Sequence, residues 1–228
     1  MTRHPLDRPV WSALTTRQRE LAVGDELARR YDPGIGPFAA VAHDDAEHLA
    51  RLGALVAAHG RAVLLQRDAS PAPPGTVEQL RVPGVQLVLE RLAAVPATAT
   101  APIVELGPAD ASEMVALAKL TEPGPFAART PELGGFVGVR VDGRLVAMAG
   151  ERMKPEGFTE VSGVCTHPDH RGQGYAARLS AVVADRIVAR GETPFLHAFA
   201  SNRAAVALYE RLGFVLRVPV EVLALVAA

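Results

Sequence analysis

The sequence predicts a mixed α/β (α+β) fold, in which a mostly antiparallel sheet is flanked by helices and preceded by a smaller α/β lobe. Three observations carry that prediction. Asp142-Gly143 stands between two apolar runs, the strongest short-range sign of a hairpin. Leu179, Val182, Val183 and Ile187 recur at helical spacing just after a loop that holds two glycines. The Pro/Ala/Thr stretch 96–102 follows neither the helical nor the strand period and separates two textures, so it reads as a linker between a lobe at 1–98 and a domain at 99–228.

In the first half, 17–30 reads as helical, ended by Asp32-Pro33-Gly34. Residues 38–42 read as a short buried strand. Asp44 or Asp45 then caps a helix through Leu49, Leu52, Leu55 and Val56 that stops near Gly60. Strand texture returns at 62–65 and 85–89, on either side of the loop 70–75, which is rich in proline and ends in glycine.

The second half opens with a strand at 103–106 and a helix started by Asp110 or Ser112. The hairpin joins strands at 136–140 and 145–149, and 158–166 extends it to a meander. A helix follows from about 174 to 190, where Gly191 stops it. A strand spans 194–200, and Ser201 or Asn202 caps a helix that ends at Gly213. Strands at 214–216 and 220–226 close the chain as a pair.

Composition narrows the function. Of 228 residues, 49% are hydrophobic and 21% charged, enough to build a buried core. Twenty-four Lys and Arg against 25 Asp and Glu leave a net charge of -1, which argues against a dedicated nucleic-acid binder. One cysteine makes no internal disulfide, no apolar run reaches the ~18 residues of a membrane span, and the first residues lack the apolar core of a signal peptide. The expectation is a soluble, cytoplasmic protein.

The chemistry concentrates in 164–179. A strand runs into a short polar loop and the loop opens a helix. Closely spaced glycines and free N–H groups at the helix start surround a phosphate well, the helix dipole adds to this, and Arg171 supplies a charge. Gly172-Gln173-Gly174-Tyr175-Ala176-Ala177 also fits the loose dinucleotide fingerprint. It lies several residues beyond its strand, however, and no acidic ribose ligand follows about 20 residues later. His167 and His170 lack clustered partners, so no metal is expected, and Cys165 reads as a small buried residue rather than a nucleophile. His197 reads either as a wall of an acceptor pocket or as a hydrogen-bonded core histidine.

Arg171-x-x-Gly174-x-Ala176 resembles the pyrophosphate loop of the GNAT (GCN5-related) N-acetyltransferases, R/Q-x-x-G-x-G/A. Downstream, Asn202 to Phe214 is similar to that superfamily's last helix, N-x-x-A-x-x-x-Y-x-x-x-G-F. The resemblance covers about 102–228 and is nearest to the FR47-like and glycine N-acyltransferase-like branch. The first half resembles a degenerate copy of the same unit, placed to cover the acceptor site.

The resemblance implies acetyl-CoA as acyl donor, no metal, and transfer to a primary amine by direct attack within a ternary complex. It places the pantetheine arm along the exposed edge of Val164, Cys165 and Thr166, with Gly163 as a bulge that helps two strands splay. Arg171, Gly172, Gln173, Gly174, Tyr175 and Ala176 would hold the pyrophosphate, and Asn202 would contact the pantetheine. Glu160 is the implied general base, with Glu151 as rival, and Tyr209 the acid that protonates the departing thiolate. A small-molecule or peptide amine is the expected acceptor. The alternative is a non-catalytic acyl-CoA sensor of the same fold. A homodimer paired through 220–226 is a further expectation.

Overall fold

The computed structural model describes residues 4–94 and 101–228, so most of the linker at 96–102 lies outside the described residues. The chain begins with a short helix, α1 (Pro9–Thr15), and three short strands, β1 (Ala22–Gly24), β2 (Ala28–Tyr31) and β3 (Ala39–Val41). These strands form a small antiparallel sheet of their own.

Here the sequence reading needs correction, because 17–30 is not helical. Gly24 adopts φ +122°, and a Cβ there would sit 2.2 Å from the Ala28 carbonyl oxygen. Asp25 then accepts from the N–H groups of Leu27 and Ala28 at 3.0 and 3.2 Å, closing a turn that propensity alone does not reveal. Arg30 is buried because its guanidinium donates to the Gly60 and Arg61 carbonyls at 3.0 and 3.1 Å.

α2 (Ala46–His59) is capped by Asp45, whose side chain accepts from the His48 N–H, and it ends at Gly60 with φ +74°. β4 (Ala62–Gln66) and β5 (Thr76–Leu89) follow. After the linker come β6 (Ile103–Glu105), α3 (Ala111–Thr121), β7 (Val137–Val141), β8 (Arg144–Glu151) and β9 (Phe158–Thr166). The β7–β8 turn is the predicted one: Asp142 and Gly143 have φ +50° and +78°, as a type I′ hairpin requires. α4 (Tyr175–Ala189), β10 (Thr193–Phe199), α5 (Arg203–Arg211) and β11 (Phe214–Ala227) complete the chain.

These later strands join β4 and β5 in one eight-stranded sheet, ordered β4-β11-β5-β10-β9-β8-β7-β6. Every neighbouring pair is antiparallel except β9 and β10. β5 therefore lies between β10 and β11, and strands from before and after the linker share one hydrogen-bonded layer. α4 packs Leu179, Val183, Ala184 and Ile187 against Val137, Val139, Val146 and Leu196, which accounts for its helical spacing of apolar residues.

The expected closing pair of strands is one strand. β11 bends at Arg217, where its register against β5 shifts between Leu216 and Val218, and then continues. From Glu221 to Leu225 it is paired with β4 on one edge and β5 on the other. Those residues consequently offer no free edge to a second copy, and the expected pairing of subunits through 220–226 is not available.

Candidate active site

The parallel pairing of β9 and β10 covers only Phe158 with Thr193, Thr159 with Pro194, and Glu160 with Phe195. Beyond that point β10 follows β5 as far as Phe199, while β9 follows β8 as far as Thr166. The two strands splay, and the far part of β9 is left with one unpaired edge. Gly163 contributes to the divergence: it adopts φ +63° at the register shift between β9 and β8, and a Cβ there would press to 3.0 Å on the Phe136 ring.

A cleft of about 240 Å³ opens in the splay. Val164 of β9 and Asn202, Ala205 and Tyr209 at α5 line one part, and 122–125 after α3 line another. The first half of the chain supplies Phe38, Arg61, Val63, Leu65 and Leu80. Sequence reasoning missed all of these, because nothing local to residues 38–80 marks them as neighbours of β9.

Arg152 and His197 also line the cleft, and both rest on Glu160. The Glu160 carboxylate is wholly buried. It accepts from Arg152 Nε at 2.7 Å and Nη2 at 2.6 Å, from His197 at 2.7 Å and from the Met153 N–H at 3.3 Å. Burial pushes this carboxyl up, but the charge and hydrogen bonds of Arg152, helped by His197, more than offset that and hold it at about 2. Glu160 is thus an anion at neutral pH that meets the cleft only through Arg152 and His197. Direct contact with a substrate amine, which a base acting without an intermediary needs, is not offered by this geometry.

Below His197 the network continues. Gln86 donates through Nε2 to the Leu6 carbonyl at 2.8 Å, and its Oε1 accepts from Arg217 at 2.9 Å. Its amide orientation is thereby fixed, so Nε2 also donates to His197 Nε2, 3.0 Å away. The imidazole proton then sits on Nδ1, facing Glu160. Arg217 in turn donates to Asp7 at 2.7 Å. His197 is a hydrogen-bonded core histidine, one of its two sequence readings, and it has one face on the cleft.

Tyr209 packs edge-on against Phe214, ring centroids 6.1 Å apart. Its hydroxyl has no hydrogen-bond partner among the described residues. Burial, with the Glu160 charge adding, pushes it up to about 12, so it stays protonated at neutral pH and is available as a donor. Asn202 caps α5, its Oδ1 accepting from the Ala205 N–H at 3.1 Å, which leaves the amide NH2 for a ligand. Glu151, the rival base, is buried between Lys154 at 2.9 Å and Arg190 at 2.7 Å and does not line the cleft.

The other expected site residues lie at the end of β9 and beyond. Cys165 faces away, packed with Met114, Phe136 and Met148, and burial pushes its thiol up to about 11, leaving almost no thiolate. Thr166 keeps a buried hydroxyl with no hydrogen-bond partner among the described residues. Past a short turn, Pro168–His170, come Gly172 and Gly174 with φ +77° and +79°, the second at the start of α4. Its N-cap residue is Gly174, which makes no side-chain cap, so among the described residues the first N–H groups of the helix are open to an anion. Arg171, Gly172 and Gln173 are exposed, and the Arg171 guanidinium has no ion pair among the described residues. Tyr175 turns its ring into the core and can offer the ligand only backbone, while Ala176 is half-buried.

These residues suit a long, diphosphate-bearing thioester: an unpaired strand edge, an orphaned hydroxyl, and a positive-φ loop at a bare helix start. A family model described as FR47-like protein matches residues 136–222. The chain is 46% identical to a protein of Novosphingobium aromaticivorans assigned to the GNAT family of acetyltransferases, with a TM-score of 0.90 over 99% of this chain and 100% of that one. It belongs to the GNAT family.

Two more distant structures share the fold alone. A GCN5-related N-acetyltransferase from Kribbella flavida is 22% identical, with a TM-score of 0.67 over 99% of this GNAT chain and 96% of its own. A GNAT-family acetyltransferase from Colwellia psychrerythraea is 13% identical, with a TM-score of 0.53 over 86% and 80%. None of the curated proteins searched matches the GNAT chain. Among its described residues no helix is long and apolar enough to cross a membrane, and no group of His, Cys, Asp or Glu could hold a metal ion.

Arg152 could have been found in the sequence. Lys154-Pro155-Glu156-Gly157 is a turn, and a turn there sets Arg152 across from Glu160, opposite charges eight residues apart.

Proposed function

We infer that the protein transfers the acetyl group of acetyl-CoA to a primary amine by direct attack, with both substrates bound together. The observation that carries this reading is the splay of β9 from β10, which runs without interruption into the Gly172–Gly174 turn at the start of α4. Backbone N–H groups on the free edge of β9 near Val164 hold the pantetheine arm and polarise the thioester carbonyl. Arg171 and the N–H groups of 172–176 hold the diphosphate, and Asn202 meets the pantetheine.

The neutral amine forms its bond to the carbonyl carbon, and the carbon–sulfur bond breaks. Tyr209 donates its proton to the departing sulfur. The amine's own proton leaves to Glu122, the carboxylate that lines the cleft, or to water on its open side. Glu160 serves as a positioning residue that fixes Arg152 and His197. The part of the chain at 1–98 forms one wall of the acceptor site and 99–228 carries the donor site. The setting is the cytoplasm, where acetyl-CoA is at hand.

Thermal unfolding with acetyl-CoA, CoA, NADH or buffer tests the donor. A ligand at 100 times its Kd adds ~2.7 kcal/mol, a rise in Tm of roughly 5–10 °C for a chain of this size. Acetyl-CoA and CoA should shift the midpoint and NADH should not. Thiol release with a panel of amines then separates an enzyme from a sensor, which binds without turnover.

A further inference from the structure

Arg152 enters the cleft with its guanidinium only partly used. Nε and Nη2 hold Glu160, and Nη1 has no hydrogen-bond partner among the described residues. The side chain is 12% exposed, and its guanidinium lies 4.4 Å from the centroid of the Phe38 ring. Nη1 therefore opens on the cleft, and it offers donors only. Whatever faces it presents oxygen.

The rest of the cleft says more about that group. Arg61, a second guanidinium, lines it from the rim with no side-chain partner among the described residues, which favours an acceptor that is itself anionic. Val63, Leu65, Val222 and Ala224 give the same cleft an apolar wall. Glu122, in the left-handed region at φ +48°, lines it on the α3 side, where a carboxylate suits an ammonium group. The cleft of about 240 Å³ is below the ~300–1,000 Å³ of sites for drug-sized ligands and also takes the pantetheine end beside Val164 and Asn202, so the acceptor that shares it is small.

On the transferase reading given above, we propose that the acceptor is a small amine carrying a carboxylate and an apolar body, as in an apolar α-amino acid. Arg152 Nη1 donates to the carboxylate, Arg61 adds long-range attraction, and the apolar wall receives the body. Arg152 is then a specificity-determining residue, which Glu160 holds in place.

Thiol release from acetyl-CoA tests this with leucine, methionine and phenylalanine, each beside its amide and its decarboxylated amine. The acids should exceed their uncharged partners by about 10²-fold in kcat/KM, because a site built for a charged hydrogen-bond partner rejects the analogue that lacks it. Titration of N-acetylleucine and N-acetylleucinamide into CoA-saturated protein gives a readout apart from turnover, and only the acid should bind. Arg61→Ala should raise KM for the acids several-fold more than for the amines. Arg152→Lys should erase most of the preference while keeping the charge beside Glu160.

Equal or faster turnover of the amides and amines would overturn the proposal, as would no turnover of any of the acids while other amines react. If acetyl-CoA gives no thermal shift and no thiol release with any amine, the transferase reading itself fails and takes this proposal with it.

Discussion

The two ends of the splay are built on opposite principles. At the end of β9, residues 171–176 make an exposed turn and the start of α4, whose useful groups are backbone N–H donors and one guanidinium without an ion pair among the described residues, all within six consecutive residues. At the floor, Arg152, Glu160, His197 and Gln86 form a network whose members come from four places in the chain and hydrogen-bond one another around the buried Glu160 carboxylate. Loss of a member costs the loop little stability. In the floor the same loss strands a charge in a medium that cannot solvate it.

The largest expected effect sharpens that contrast directly. Glu160→Ala leaves the Arg152 guanidinium buried without its counter-ion and should destabilise the protein by about 3–5 kcal/mol in urea unfolding. Arg171→Ala should stay within about 0.5 kcal/mol of the parent. Equal losses in the two variants would break the comparison.

The same pair predicts a pH dependence. Glu160 is held at about 2 in the folded protein against an ordinary 4.5. The stability it contributes is fully present above about 4.5 and is lost as pH falls toward about 2, where the folded carboxylate takes up its proton. Acid titration of the Tm should show this loss in the parent, and Glu160→Gln should remove that component of it.

Between floor and loop stands Tyr209. Tyr209→Phe keeps the ring against Phe214 and removes the proton, so kcat should fall about 10²-fold while the acetyl-CoA thermal shift is retained. An unchanged kcat would remove the tyrosine from proton transfer. The smallest effect belongs to the loop. Arg171→Ala should weaken acetyl-CoA binding about tenfold, less at high salt, because an exposed guanidinium is screened. Calorimetric titration at two salt concentrations checks it.

The sequence was most legible where structure is local. The Asp142-Gly143 turn, the strand at 158–166, the Gly163 bulge and the caps Asp45 and Asn202 each follow from the chemistry of a few neighbouring residues. The helical reading of 17–30 failed because the Gly24 turn and the buried Arg30 depend on carbonyls that only folding brings near. The division of β11 into two failed for a related reason. Arg217 lies in the gap between the two expected strands, yet as the bulged residue it reaches Gln86 and Asp7 without ending the strand.

By itself the sequence determined the sheet-and-helix class, the turn that suits a diphosphate, and the placing of Asn202 and Tyr209 on one helix, while the splayed strand came only with the family resemblance. Those features depend on backbone conformation and on spacing within a single element, and both are written in consecutive residues. Only the tertiary structure decided that β5 sits between β10 and β11, that Phe38, Arg61, Val63 and Leu65 wall the cleft, and that Glu160 lies beneath it rather than in it. The physical reason is desolvation. Whether a carboxylate is a base or a buried anchor depends on which charges and how much water surround it, and residues far apart in the chain supply that surrounding.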